Sequence, residues 1–222
     1  MKIFILPGGT SPYGQNKKHC ESYRDISNVL KQMRADAEVR IVTYPGQKNV
    51  EGIREGELRF ASSVEALRNR ISESKGEDIR LVCICWGCQI GAAVCATNGE
   101  LVRKALFWAP VPFWKLHEVC VLKDDLWAGQ EEQRGVKVTP EVLSGITPFE
   151  LSIQSITDTD CCAAVGSRDE YVTPEALPYF KSLVAKKRNF DFRAVEGCPH
   201  TVLAAEASWS AFQSQALQWI CE

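Results

Sequence analysis

"LVCICWGCQIGAAVC", residues 81–95, is an apolar run that breaks at Gly87 and resumes with small residues at helical spacing. Its first part reads as a buried strand ending near Cys83, and its second as a helix beginning near Cys88. A strand that turns so abruptly into a helix suits a sheet whose parallel strands are joined by helical crossovers. The rest of the chain has that rhythm. "KIFIL" (2–6), "AEVRIVTY" (37–44), "VRKALFWA" (102–109), "CCAAV" (161–165) and "FDFRAV" (190–195) are further short apolar runs. Between them lie helical stripes: Ile26, Val29, Leu30 and Met33; Val64, Leu67 and Ile71; Ala176, Phe180, Leu183 and Val184; Trp209, Phe212, Ala216, Trp219 and Ile220. The pattern predicts an α/β fold of about six mostly parallel strands with helices on both faces.

The length of 222 residues fits one domain, 1–222. A formal net charge of -2 and no long basic run give no electrostatic footprint for nucleic acid or an anionic membrane, so neither is expected as a partner. No run of about 18 apolar residues occurs, and "MKIFILPGGTSPYG" is too short in its apolar part for a signal peptide, so a soluble cytoplasmic protein is expected. The ten cysteines lie mostly inside apolar runs, where they read as reduced, small packing residues rather than a disulfide framework. Oligomeric state is not legible.

One interval interrupts the alternation. From 111 to 157, aromatic, charged and proline residues mix between two predicted strands, which is too long for an ordinary connection. "TPEVL" (139–143) and "TPFEL" (147–151) each offer a threonine cap, a proline in the first turn and an acidic residue, so short helices forming a lid insertion are expected.

Three uses compete for Cys83, Cys85 and Cys88. Metal binding is the first, but the spacing places the cysteines across a strand end and a helix start rather than on paired knuckles, and no metal or cofactor is expected. Core packing is the second. The third follows from the turn itself: a residue at its tip is pushed out of the sheet's carboxyl edge, and small neighbours let strand and helix approach.

Cys83-Ile84-Cys85-Trp86-Gly87 resembles the nucleophile elbow of the α/β-hydrolase family, usually G-x-S-x-G, with cysteine at the nucleophile position as in the dienelactone hydrolase branch. Cys83 replaces the first glycine. The resemblance covers nearly the whole chain and implies a minimal α/β-hydrolase fold. It implies an acid after a later strand, matched by Asp169 in "CCAAVGSRDEYVTPEAL", and a histidine after the last strand, matched by His200 in "FDFRAVEGCPHTVLAAE". It further implies oxyanion donors at the backbone N–H groups of Trp86 and of Gly9, in "LPGGT".

The residue types suit that chemistry. A free thiol is mostly protonated at neutral pH, so an acyl-transfer nucleophile gains from an imidazole that takes its proton, and the imidazole gains from a carboxylate on its other nitrogen. His19 and His117 are the other histidines, one in a polar loop and one in the lid, and Glu170 is the rival acid. The rings of Trp86, Trp108, Phe113, Trp114 and Trp127 are candidate walls of an apolar acyl pocket, with core packing the plain alternative. Arg168 and Lys115 could meet a substrate carboxylate. The leading expectation is an esterase or thioesterase acting on a small-molecule acyl substrate, free or carrier-bound, through an acyl-cysteine. The alternatives are an acyltransferase or cyclase, and a catalytically silent binding protein of the same fold.

Overall fold

The strands are β1 (Lys2–Leu6), β2 (Glu38–Ile41), β3 (Ile79–Ile84), β4 (Lys104–Trp108), β5 (Asp160–Gly166) and β6 (Phe190–Val195). They form one sheet in the order β2-β1-β3-β4-β5-β6, and every neighbouring pair is parallel. The computed structural model describes residues 1–9, 13, 17–53, 55–115, 145–200 and 206–222, excepting the side chains of 17–21 and 206.

The apolar runs become strands because both faces of the sheet are covered. β1, β3, β4 and β5 are buried along nearly their whole length, whereas the edge strands β2 and β6 are more exposed. α2 (Phe60–Ser72), α3 (Trp86–Asn98), α4 (Phe149–Ser155) and α5 (Ala176–Leu183) pack side by side, while α1 (Lys17–Met33) packs against the C-terminal helical segment. That segment comprises α6 (Glu206–Phe212), a π turn over Gln213–Leu217 and α7 (Gln218–Cys221). The extra residue in a π turn shifts the inward face, so Leu217 and Cys221 are buried beside Ala216 and Ile220. In α1, Ile26 and Leu30 are buried, but Met33 at the last turn is 36% exposed rather than part of the core stripe.

The registry aligns the carboxyl ends that matter. Leu6 of β1 lies opposite Cys83 of β3, and Ile84 of β3 opposite Trp108 of β4. The chain runs outward from β1 to β2 and then crosses back to β3 on the other side of β1. The direction of winding therefore reverses between β1 and β3, which opens a crevice above their carboxyl ends.

Of the 111–157 interval, residues 116–144 lie outside the described residues, including "TPEVL". α4 does arise from "TPFEL", but its N-cap is Pro148 and no side chain caps it. Thr147 is thus not the expected cap. The acidic residue of its first turn, Glu150, is buried instead and accepts the backbone N–H of Phe113 at 2.7 Å. The two feet of the interval are tied together there.

Candidate active site

Cys85 stands between β3 and α3 with φ 51° and ψ −111°, a backbone conformation that costs a non-glycine residue about 1–3 kcal/mol. Its neighbours maintain it. The Cys85 N–H donates to the Trp108 carbonyl at 2.9 Å, and its own carbonyl accepts from Cys88 N–H at 2.9 Å, starting the helix. A Cβ on Gly87 would lie 2.3 Å from the Leu6 carbonyl oxygen, so only glycine lets α3 leave the elbow this close to β1.

The flanking cysteines have separate, structural duties. Cys83 is fully buried, and a Cβ on Gly91 would come within 2.3 Å of its Sγ. The thiol that stands where the elbow usually has glycine therefore fills the space above a glycine one turn into α3. Cys88 donates its S–H toward the carbonyls of Cys83 and Trp108, at 3.3 and 3.2 Å. Burial pushes both thiols well above their ordinary value. Among the described residues, no group of three histidine, cysteine or acidic side chains could hold a metal ion.

The acid and histidine loops are laced to one another. Arg168 N–H donates to the Cys198 carbonyl at 2.9 Å, Ser167 N–H to the Val195 carbonyl at 2.9 Å, and Gly197 N–H to Ser167 Oγ at 2.8 Å. Gly166 permits this approach, since a Cβ there would lie 2.0 Å from the Cys198 carbonyl oxygen. Asp169, 4% exposed, accepts the N–H groups of Tyr171 and Val172 through Oδ1 at 2.9 and 2.7 Å. Its Oδ2 lies 2.9 Å from His200 Nδ1. Glu170 instead meets only the backbone N–H of His200, at 3.4 Å, among the described contacts.

With Nδ1 engaged by Asp169, the other ring nitrogen is left for Cys85, to which His200 is hydrogen-bonded. Burial opposes the imidazolium, but electrostatic attraction from Cys85 and the hydrogen bonds to Asp169 and Cys85 outweigh that penalty. His200 is held well above the ordinary histidine value. The structure thus brings Cys85, His200 and Asp169 into one relay at the sheet's carboxyl edge. Trp86 begins α3 immediately after Cys85, and Gly9 follows β1 next to Gly8, where a Cβ would lie 3.3 Å from the Cys85 Cβ. The side chain of His19, and all of His117, lie outside the described residues.

The five candidate wall residues fall in different surroundings. Trp108 is 1% exposed, because the alternation of β4 turns its ring onto the face under α6, where it meets Phe212 edge-on at 4.6 Å. Its indole N–H donates to the His200 carbonyl at 3.3 Å, so it supports the histidine loop. The Trp86 ring is likewise buried, against Phe60. Phe113 and Trp114 are 46% and 53% exposed, and Trp114 pairs edge-on with Tyr179 at 4.8 Å. Trp127 lies outside the described residues.

No protein-family profile and no curated protein matches the chain. Solved structures do. A monoacylglycerol lipase of Paleococcus ferrophilus is 12% identical with a TM-score of 0.71, over 99% of this chain and 93% of that one. Est1E of Butyrivibrio proteoclasticus, with ferulic acid bound, is 15% identical with a TM-score of 0.70, over 100% and 90%. A provisionally named dienelactone hydrolase of Klebsiella pneumoniae is 12% identical with a TM-score of 0.66, over 100% and 86%. The fold is that of the α/β-hydrolases.

On this α/β-hydrolase scaffold, several buried polar residues near the elbow escaped the sequence reading. Tyr23 and Gln47 bond to Gly8, and Gln89 is fully buried and donates to the Val111 carbonyl at 2.6 Å. Tyr23 shares the inward stripe of α1 with Ile26 and Leu30. A phenol on an apolar stripe needs a partner for its hydroxyl, and that need was the available signal.

Proposed function

We propose that this protein cleaves esters or thioesters of small-molecule acyl groups, free or carrier-bound, through an acyl-cysteine formed on Cys85. The observation that carries the reading is the relay itself: a strained Cys85 at the elbow, hydrogen-bonded to a His200 whose Nδ1 is held by a buried Asp169. The fold neighbours named as an esterase domain and a lipase favour the same class of chemistry.

In this mechanism the Cys85 thiolate attacks the carbonyl carbon while His200 carries the proton as imidazolium. The new C–S bond leaves negative charge on the carbonyl oxygen, met by the N–H groups of Trp86 and Gly9. Collapse breaks the bond to the leaving alkoxide or thiolate, which takes the proton from His200. His200, now neutral, removes a proton from water. The resulting hydroxide attacks the thioester, and the acid and the Cys85 thiolate are released with His200 again protonated. Asp169 keeps the imidazole in one tautomer and stabilises its charge throughout.

Steady-state hydrolysis of p-nitrophenyl esters and acyl thioesters of graded chain length tests this reading. Cys85→Ala and His200→Ala should each lower kcat/KM at least about a hundredfold on any substrate turned over. Turnover surviving in Cys85→Ala would contradict it. An adduct that accumulates on wild type and leaves only when an amine or thiol is added would redirect it to acyl transfer.

A further inference from the structure

Pro7–Gly9 passes directly beside the elbow. A Cβ on Gly8 would lie 3.3 Å from the Cys85 Cβ and 3.5 Å from the Ile84 carbonyl oxygen. Both backbone groups of Gly8 are held from outside the loop. Its N–H donates to the Tyr23 hydroxyl at 3.0 Å, from α1. Its carbonyl accepts from Gln47 Nε2 at 3.4 Å, and the Gln47 Oε1 in turn accepts the Tyr44 N–H at 3.1 Å. Tyr23 and Gln47 are 5% and 2% exposed.

The carbonyl of Gly8 and the N–H of Gly9 belong to one peptide plane, which is trans, so they point in opposite directions. Fixing the carbonyl toward Gln47 therefore fixes the N–H of Gly9 away from it. A Gly-Gly pair left to itself has the freest backbone of any dipeptide, and a donor on it would have to be ordered during the reaction. We propose that Tyr23 and Gln47 are positioning residues that preorganise the Gly9 N–H as an oxyanion donor. This rests on the acyl-cysteine reading above. Both act by holding the Gly8–Gly9 peptide in one orientation.

Two reactions of the same thiolate separate this role from a general structural one. Acylation by p-nitrophenyl acetate passes through a tetrahedral oxyanion before nitrophenolate leaves. Alkylation by iodoacetamide displaces iodide at a saturated carbon and forms no oxyanion. Both are followed at Cys85 by peptide mass spectrometry, in wild type, Tyr23→Phe and Gln47→Met. In the variants, acylation should slow about tenfold to a hundredfold, within the range for loss of an oxyanion donor, while alkylation stays within about twofold. Equal slowing of both reactions, or of neither, overturns the proposal. If Tyr23→Phe does not fold, Gln47→Met decides it by the same comparison. A wild-type chain that is alkylated but never acylated at Cys85 fails at the acyl-cysteine reading instead and removes the basis of this one.

Discussion

Cys95 and Cys162 are pushed up to about 12 by burial, and Cys83 and Cys88 also lie well above the ordinary thiol value. These thiols stay neutral at pH 7. Cys85 differs by its environment: it is 8% exposed, at a strained tip, and hydrogen-bonded to a histidine whose pKa Cys85 and Asp169 raise. Its alkylation by iodoacetamide at pH 7 should therefore be faster than that of a free thiol, whose ordinary pKa is about 8.5, and should slow toward that rate in His200→Ala. Stability should carry the same signature. The value for His200 is raised on folding, so its contribution is complete below about pH 6.5 and fades as pH rises through the raised value. Asp169→Asn should cost about 1–3 kcal/mol in urea unfolding at pH 6, and the loss should shrink along a pH series that rises through the raised value. A loss constant along the whole series would show that the carboxylate does not stabilise an imidazolium. At this scale the sequence supplied candidates more than choices. Asp169 and Glu170 are neighbours of the same chemistry, and only the backbone donors of Tyr171 and Val172 turn Asp169 toward the imidazole.

The elbow depends on complementarity between β3 and α3. Cys83 and Gly91 share one space, so Gly91→Ala should lower the midpoint of thermal unfolding, with a cost of about 1–3 kcal/mol from overpacking. Adding Cys83→Gly should recover much of it, because the two sites are in contact. Additive losses would contradict that pairing. β4 reaches the site from beneath: Trp108 supports the His200 carbonyl. Trp108→Phe retains the ring against Phe212 while removing the indole N–H, and should lower kcat about tenfold with KM little changed, the loss being one of positioning. The position of the elbow was legible because a strand-to-helix break between small residues leaves a strong pattern. The direction of Trp108 was not, since it depends on which parity of β4 faces α6, and both faces of this strand are apolar.

Across the whole molecule, the alternation of apolar runs and amphipathic stretches was enough to read the sheet, because strands buried on both faces must be apolar throughout. Strand order was not readable in that way; it is seen only in the structure. The crossing from β2 back over β1 to β3 is what brings the Gly8–Gly9 loop against Cys85, although some 76 residues separate the two in sequence. The described strands and helices share a single continuous core, so heat or urea should unfold the chain in one cooperative transition with coincident tryptophan fluorescence and far-ultraviolet circular dichroism. Two separated transitions would show a second independently folding unit. Among the described residues, no helix is long and apolar enough to cross a membrane.

The most direct test of the acyl-cysteine is rapid-quench mass spectrometry of the intact protein after mixing with p-nitrophenyl acetate, with Cys85→Ala alongside. One acetyl group is predicted, mapped to Cys85, absent from the variant, and lost in water at the rate of steady-state turnover. Acetylation that is the same in wild type and Cys85→Ala would contradict the assignment of Cys85 as nucleophile.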